Sequence, residues 1–430
     1  MYDLKVAWRN LRNRPIESSV PIFVVALAIA LSVTVFALSD GAEEGIVQAS
    51  DPFQMLVIGS AGSGQDLVLS SVMLQGNPIG NIPYEVYENL ENDIERVQLA
   101  VPLAMGDSVG NARIIGTNHN FFEIRRTQVD PPAFQLAEGR LFTEAIGNTG
   151  DILEAEAVFG ALSARRLGLN IGDTFLGTHG IGVGIAENVH ENVVYTVVGI
   201  LHPTNTPYDT AVYTSLDAVW GSHVRENDPN NAFPTIAGLT PQVVADAPSS
   251  GEVTAVLVSA TSFANLNRIA QEFYLEPTLQ AAFPGDELGQ LIGLLNQGQQ
   301  VLEIVGYLVL GIAGLTLFLS MYSAVLSRQQ SIAIMRGLGN NRASIFRMII
   351  FETLIVSIVG ALLGRVIGYS LALIIADIYS AQSAIPIPIR FLPELELVLW
   401  VLSIGVGILA GLIPAWLAYR VDVVKHLFPS

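Results

Sequence analysis

Four long apolar runs limit what this chain can fold into. They cover Ser18–Ser39, Val301–Leu326, Ile345–Tyr379 and Leu397–Tyr419. The first run is uncharged and would extend about 33 Å as a helix, enough to cross the hydrocarbon core of a bilayer. A cleaved signal peptide is the alternative for this run, but its apolar core would span only roughly 7–15 residues. We therefore predict four transmembrane helices and an uncleaved first anchor.

A large acidic segment separates the first run from the second. Residues 41–300 hold 30 acidic and 9 basic side chains, whereas the whole chain has a net charge of −18. A chain that is 51% hydrophobic and 14% charged is too apolar for a soluble protein and too charged for membrane spans alone. The prediction is a membrane protein with a large aqueous domain, whose acidity does not suit nucleic acid. Cysteine is absent, which excludes disulfides and thiolate sites.

Basic residues predict the orientation of the spans, because cytoplasmic loops are enriched in lysine and arginine. They precede the first run, lie between the second and third, and follow the fourth. Both termini are therefore expected in the cytoplasm and the acidic domain outside the cell membrane. The predicted segments are an amphipathic helix 1–17, span 18–40, outer domain 41–300, span 301–326, cytoplasmic loop 327–344, span 345–379, outer loop 380–396, span 397–419 and tail 420–430.

The outer domain has a mixed pattern of strands and helices. Its two ends are expected to continue the adjoining spans as polar helices, and Thr178–Asn192 is expected to be a loop. Gly168 is a candidate left-handed helix cap. Predicted strands are Gln54–Gly59, Leu67–Ser71, Ala112–Gly116, Tyr195–Leu201 and Val253–Ser259, and predicted helices are Pro83–Ile94, Glu154–Leu167 and Ser262–Phe273.

The cytoplasmic loop between the second and third runs carries a short basic, amphipathic segment. Ile332, Met335 and Leu338 recur every three residues, which predicts an apolar face on a short helix. Gly337 and Gly339 follow, where a helix can end and another surface can come close. The segment is either an ordinary cytoplasmic loop, basic as such loops are, or a helix that docks on a cytosolic motor.

Motifs for enzyme chemistry are weak. A Walker A loop needs lysine after glycine, and the two lysines, Lys5 and Lys425, follow Leu4 and Val424. The glycine-rich stretch GSAGSG at 59–64 fits no phosphate-binding or nucleophile motif and is interpreted as a turn without a following helix. The chain is therefore not predicted to be an enzyme, and no cofactor is predicted in it.

Some polar residues remain candidates for binding or function. His179, His190 and Glu191 could form a zinc site, although solvated loop histidines are the default interpretation. Glu352 and Arg365 lie within the third apolar run, 13 residues apart, too far along a helix to pair with each other. An intramembrane arginine is costly and indicates function, unless it is paired within the bundle or reaches the interface.

Four segments together resemble the MacB/FtsX-like superfamily of ABC transporter permeases, which includes lipoprotein-releasing and macrolide-exporter types. They are WRNLRNRP near the N-terminus, the pair EAVFGALSARRLGLNIGDTF and YTVVGILHPTNTPYDTAVYTSLDAVW, SIAIMRGLGNNRASIFRMIIFETLI, and GLIPAWLAYRVDVVKHL. The resemblance implies four transmembrane α-helices and a large extracytoplasmic mixed α/β (α+β) domain of two lobes, inserted between spans 1 and 2.

The resemblance also implies partners and a mechanism. A second permease copy, as homodimer or related heterodimer, would bind two copies of a separate ATPase that holds ATP and Mg²⁺. A periplasmic adaptor and an outer-membrane channel are possible further partners. The residues implied to couple to the ATPase are Ser331, Ile332, Ile334, Met335, Arg336, Gly337, Leu338 and Gly339.

Two function classes follow from this family. The first is a permease that exports or extracts an amphiphile, lipoprotein, peptide or drug by mechanotransmission, passing ATP-driven motion to the outer domain. The second is an FtsX-like signalling permease that activates an extracytoplasmic partner such as a cell-wall hydrolase. A membrane-tethered receptor or metal-binding module without a motor is a third interpretation. An outer domain of about 260 residues favours the first, since it offers room for a substrate or adaptor.

Overall fold

The computed structural model describes residues 2–127, 129–149, 152–180, 189–222 and 251–421. The histidines at 223 and 426 lie outside these ranges, as do residues 181–188 of the predicted loop. The chain divides into two compact units. One unit contains Met1–Glu43, Leu294–Ile378 and Ile387–Ser430, and the other contains Glu44–Gly293 and Tyr379–Pro386.

The described residues form eleven α-helices. In chain order these are α1 Tyr2–Asn13, α2 Pro15–Ser50, α3 Gly64–Ser71, α4 Glu85–Asn92, α5 Ala161–Leu167, α6 Leu216–Ser222, α7 Phe263–Tyr274, α8 Pro284–Ser327, α9 Gln329–Gly337, α10 Arg342–Ser383 and α11 Pro393–Tyr419. Four of them are long and apolar enough to cross a membrane. They are α2, in which the candidate span begins at Ser18, and α8, α10 and α11. Helices α3 to α7 belong to the other unit.

That unit, the sheet domain, is built on a mixed β-sheet. Its described strands are β1 Leu56–Ser60, β2 Ile82–Pro83, β3 Val97–Val109, β4 Ala112–Thr117, β5 Leu136–Gly139, β6 Gly147–Thr149, β7 Ile152–Phe159, β8 Thr174–His179, β9 Val189–Leu201, β10 Val212–Ser215, β11 Glu252–Val253, β12 Ala255–Ala260 and β13 Leu279–Ala282. Eleven of them form one sheet in the order β13-β1-β12-β3-β4-β10-β7-β9-β5, with β6 and β8 paired beside this path. Among its described strands, two pairs are parallel, β4 with β10 and β7 with β9. The expected division of this domain into two lobes stays a prediction.

Both faces of this sheet are buried. Leu56 and Ile58 of β1 pack with helices α4 and α7, whereas Val57 between them packs into a second core with α3. Alternate side chains of a strand point to opposite faces, so each face carries its own apolar set. The second core also holds an aromatic group in which Phe121 stacks near Tyr208 and Tyr213.

Two predicted elements in the sheet domain are wrong. Leu67–Ser71 is the end of helix α3 and not a strand, because Ser63 caps that helix by accepting a hydrogen bond from the Asp66 amide at 3.2 Å. The GSAGSG stretch is therefore followed by a helix. Leu67 and Val68 are buried, so the apolar run forms the buried face of this helix.

The predicted helix Glu154–Leu167 is also wrong in its first half. Residues 154–159 belong to strand β7, where Leu153, Ala155 and Ala157 alternate into one core. The helix begins only after Gly160, whose place could hold no Cβ because the Asp209 carbonyl oxygen would lie 2.6 Å from it. Gly168 ends the helix with φ +67°, as predicted.

Other boundaries move by a few residues. The predicted loop Thr178–Asn192 begins and ends in strands β8 and β9, since cross-strand pairing with β3 orders residues that glycine content alone assigns to a turn. The polar continuations of the first two spans are helical, with α2 reaching Ser50 and α8 beginning at Pro284. The outer loop predicted at 380–396 is shorter, because α10 reaches Ser383 and α11 begins at Pro393.

The unit that contains the four apolar helices is called the helix bundle below. Three glycines let α10 lie against α2 in this bundle. A Cβ at Gly364 would lie 2.6 Å from the carbonyl oxygen of Ala26, and one at Gly368 would lie 2.8 Å from that of Ala30. A Cβ at Gly360, one turn earlier, would lie 2.9 Å from the carbonyl oxygen of Ile22. Small residues every fourth position allow such close backbone contact between membrane helices.

Gly364→Ala is expected to destabilise the bundle by about 1–3 kcal/mol, because the added methyl group must push two backbones apart. Thermal unfolding of the detergent-solubilised chain measures this. Gly311→Ala in α8 is the matched control, since a Cβ there meets nothing within 4 Å. Equal unfolding temperatures for the two variants would contradict the close crossing.

Candidate functional site

Helix α9 lies between the candidate spans α8 and α10, in the segment predicted to couple to a motor. It follows Arg328 and ends at Gly337, where the amide of Asn340 donates to the carbonyl oxygen of Met335 at 3.1 Å. Gly339 has φ +100°, a conformation that glycine adopts without strain. The glycines at this end therefore allow a short, tight turn between α9 and α10.

The two faces of α9 differ from the predicted pattern. Ile332 and Ala333 are 3% and 0% exposed, packed in a cluster with Ile345 of α10 and the end of α11. Ile334 and Leu338 are 46% and 84% exposed and lie four residues apart, on one face. Ile332 and Met335 thus hold the helix in place. Ile334 and Leu338, the residue directly after α9, form an exposed apolar pair.

The remaining residues of the predicted coupling set lie in or next to α9. Ser331, Gly337 and Gly339 are exposed. Arg336 is partly buried, and its guanidinium donates a hydrogen bond to the backbone carbonyl of Val421, just after α11. This contact fixes the far end of α9 to the last helix of the bundle.

Glu352 of α10 is 2% exposed and contacts α1 and the junction between α8 and α9. Its carboxylate accepts a hydrogen bond from the Asn10 side chain of α1 at 2.6 Å and faces the Arg328 guanidinium at 3.4 Å. A cavity of about 290 Å³ opens beside it, lined also by Ile332 and Met335. A charge removed from water needs such partners, so Glu352 ties the base of α9 to its neighbours.

Arg365 is 8% exposed and does not pair with Glu352. Its Nε lies 2.6 Å from Oε2 of Glu396, which is 4% exposed in the first turn of α11. The Tyr369 hydroxyl donates to the other carboxylate oxygen at 3.0 Å, and the guanidinium lies over the Trp400 ring at 4.1 Å. This is the pairing within the bundle that the sequence left open as the alternative to a functional role.

Sequence reasoning missed Glu396 as a site residue, because it was assigned to the outer loop. A signal exists, since Glu396 stands three residues after Pro393, a typical first residue of a helix. Asn10 was also missed, and nothing local marks it, because it is separated from Glu352 by most of the chain.

In the sheet domain the structure brings His179 and His190 together with Asp107 instead of Glu191. These three side chains have ligand atoms within 4.8 Å of one another. Glu191 is exposed and is not part of the group. Burial, followed by the charge of Asp107, raises the pKa of the nearby Tyr195.

Two family models match the chain. The family model of the MacB-like periplasmic core domain matches residues 19–273, more than half of the chain. The FtsX-like permease C-terminal model matches residues 303–423. The chain belongs to the MacB/FtsX-like family of ABC transporter permeases, and the family with the four apolar helices indicates a multi-pass inner-membrane protein.

A curated relative agrees with this family. The chain is 25% identical over 354 residues to the lipoprotein-releasing system transmembrane protein LolC of Haemophilus influenzae, covering 79% of this chain and 80% of that protein. Permease components of this kind are not themselves catalytic.

Proposed function

We propose that this chain is a transporter permease driven by a separate ABC ATPase that docks on helix α9. The observation that carries the proposal is the exposed apolar pair Ile334 and Leu338 on a helix whose other face is buried. Paired exposed apolar residues on a fixed helix suit docking into a groove of a partner. The family implies such an ATPase and a second permease as partners.

The orientation is part of the proposal. Arginines of the α9 segment and basic residues of α1 favour the cytoplasm, whereas the acidic sheet domain would then lie outside. ATP and Mg²⁺ would bind the ATPase, and its closure would move the helix bundle and through it the sheet domain. An adaptor and an outer-membrane channel are further candidates as partners.

The substrate class proposed is an amphiphile, with lipoproteins first. The relative's name refers to lipoprotein release, and a sheet domain of this size provides surface for a bulky ligand. A peptide or drug is the broader class. The signalling role, in which a cell-wall hydrolase is activated without transport, is not favoured by the comparisons.

The test uses the full chain reconstituted in nanodiscs with an ABC ATPase encoded beside it. Lipoprotein is expected to stimulate ATP hydrolysis, and a purified cell-wall hydrolase is not. A complex that forms but responds only to the hydrolase would contradict the transport role. If the chain purifies without any ATPase bound, the proposal that an ATPase docks on it is wrong.

Orientation can be checked separately, since the chain lacks cysteine. Asn340→Cys and Glu276→Cys each place one thiol at an exposed position, near α9 and in the sheet domain. An impermeant maleimide added to intact spheroplasts is expected to label the second and spare the first. Labelling of both from one side would disprove the proposed topology.

A further inference from the structure

Three strands of the sheet domain bring two histidines to a buried carboxylate. Asp107 in β3 stands directly opposite His179, the last residue of β8. His190 follows Val189 at the start of β9, and β9 pairs with β8. The amide of Gly180 donates to the carbonyl oxygen of Gly106 at 2.8 Å, which holds the end of β8 against β3.

The spacing of the three side chains matches a metal site. His190 Nε2 lies 3.1 Å from Asp107 Oδ1, and His179 Nδ1 lies 3.5 Å from the same oxygen. Four ligands arranged tetrahedrally at about 2.0–2.1 Å from zinc are separated from one another by about 3.3 Å. The two observed distances lie on either side of that value, and all three ligand atoms are within 4.8 Å of one another.

The carboxylate is oriented by a further residue. Asp107 is 0% exposed, and its other oxygen, Oδ2, accepts a hydrogen bond from the Ser222 hydroxyl at 2.9 Å. Oδ1 is thereby directed to both imidazole rings. Supporting hydrogen bonds of this kind orient the ligands of metal sites and increase metal affinity.

The cluster can be reached from solvent. The side chain of His179 is 54% exposed, and a cavity of about 210 Å³ adjoins it, lined also by Gly106 and Trp220. A metal ion could enter here without opening the core of the domain.

We propose that Asp107 Oδ1, His179 Nδ1 and His190 Nε2 bind one Zn²⁺ ion. Two imidazoles with one carboxylate favour zinc and similar transition metals over Mg²⁺ and Ca²⁺, which prefer oxygen ligands. Three protein ligands leave a fourth position for water or another group. Bound zinc would clamp β3 to the β8–β9 pair, and this inference does not depend on the proposed transport function.

The test titrates Zn²⁺ into the full, detergent-solubilised chain after dialysis against a chelator, in competition with a chromophoric indicator. One equivalent is expected to bind with a Kd of about 1 μM or tighter. His190→Ala and Asp107→Asn are each expected to weaken binding at least about 100-fold, because loss of even a supporting residue costs 10–100-fold.

Two further variants keep the test decisive. His179→Ala changes an exposed side chain and should fold normally if Asp107→Asn does not. His202→Ala is the matched control, because that exposed histidine is outside the cluster, and its zinc affinity should equal that of the unaltered chain. Failure of the unaltered chain to bind zinc, or equal affinity in His179→Ala and His202→Ala, would overturn the proposal and leave only hydrogen bonds between the carboxylate and the rings.

Discussion

Replacing Ile334 and Leu338 together by glutamate is expected to remove the ATPase from the purified permease. Both side chains are exposed, so the charges are tolerated by the isolated chain but would be buried in a docked complex. Buried anchor residues at interfaces contribute at least about 2 kcal/mol each, so affinity should fall at least 100-fold. The ratio of ATPase to permease after affinity purification measures the loss.

Two control variants separate docking from folding. Ile334→Leu with Leu338→Met keeps the face apolar and should preserve the complex. Ile332→Glu places a charge in the buried cluster beside Ala333 and Ile345, so the permease itself should be lost from the membrane. A normal ATPase ratio in the double-glutamate variant would show that the motor docks elsewhere.

Arg365→Leu is expected to destabilise the helix bundle by about 3–5 kcal/mol, because it leaves the Glu396 carboxylate buried without its ion-pair partner. The loss should appear as a lower unfolding temperature in nanodiscs and, by proposal, as reduced ATP-dependent function. Arg347→Leu is the matched control in the same helix. The side chain of Arg347 pairs with Asp3 and is 61% exposed. Such an exposed ion pair should contribute less than about 1 kcal/mol to the stability of the bundle.

The double variant Arg365→Leu with Glu396→Leu completes the cycle. Replacing both members of a buried pair by apolar residues is often close to neutral, so much of the lost stability should return. If function stays low while stability returns, the pair has a role in coupling beyond packing. If Arg365→Leu alone unfolds at the normal temperature, the buried pair does not stabilise this bundle.

Local sequence features predicted the parts of the fold that depend on local physics. The apolar runs have the length of a membrane span, and Gly168 takes a left-handed conformation that other residues rarely adopt. Leu67–Ser71 and Glu154–Phe159 were mistaken because short apolar runs fit either a strand or a helix. The Ser63 cap makes the first segment a helix. Pairing of β7 with β9 and β10, which come from distant parts of the chain, makes the second segment a strand.

The candidate sites show the same limit. The sequence located α9 but not which of its apolar residues are buried, because the cluster around Ile332 is completed by Ala415 and Ala418 of α11. It noted His179 and His190 but not Asp107, whose position depends on the register of β3 against β8. Arg365 was singled out, but its partner required the start of α11.

The glycine crossing of α2 and α10 has a consequence for motion. With backbone against backbone at Gly364 and Gly368, neither helix can slide along the other without collision. If an ATPase drives the bundle as proposed, α2 and α10 would therefore move together as one unit. The side chains of Ile29 and Val33 also lie directly against these two glycines, so a displacement of one helix would be passed to the other through close-packed atoms.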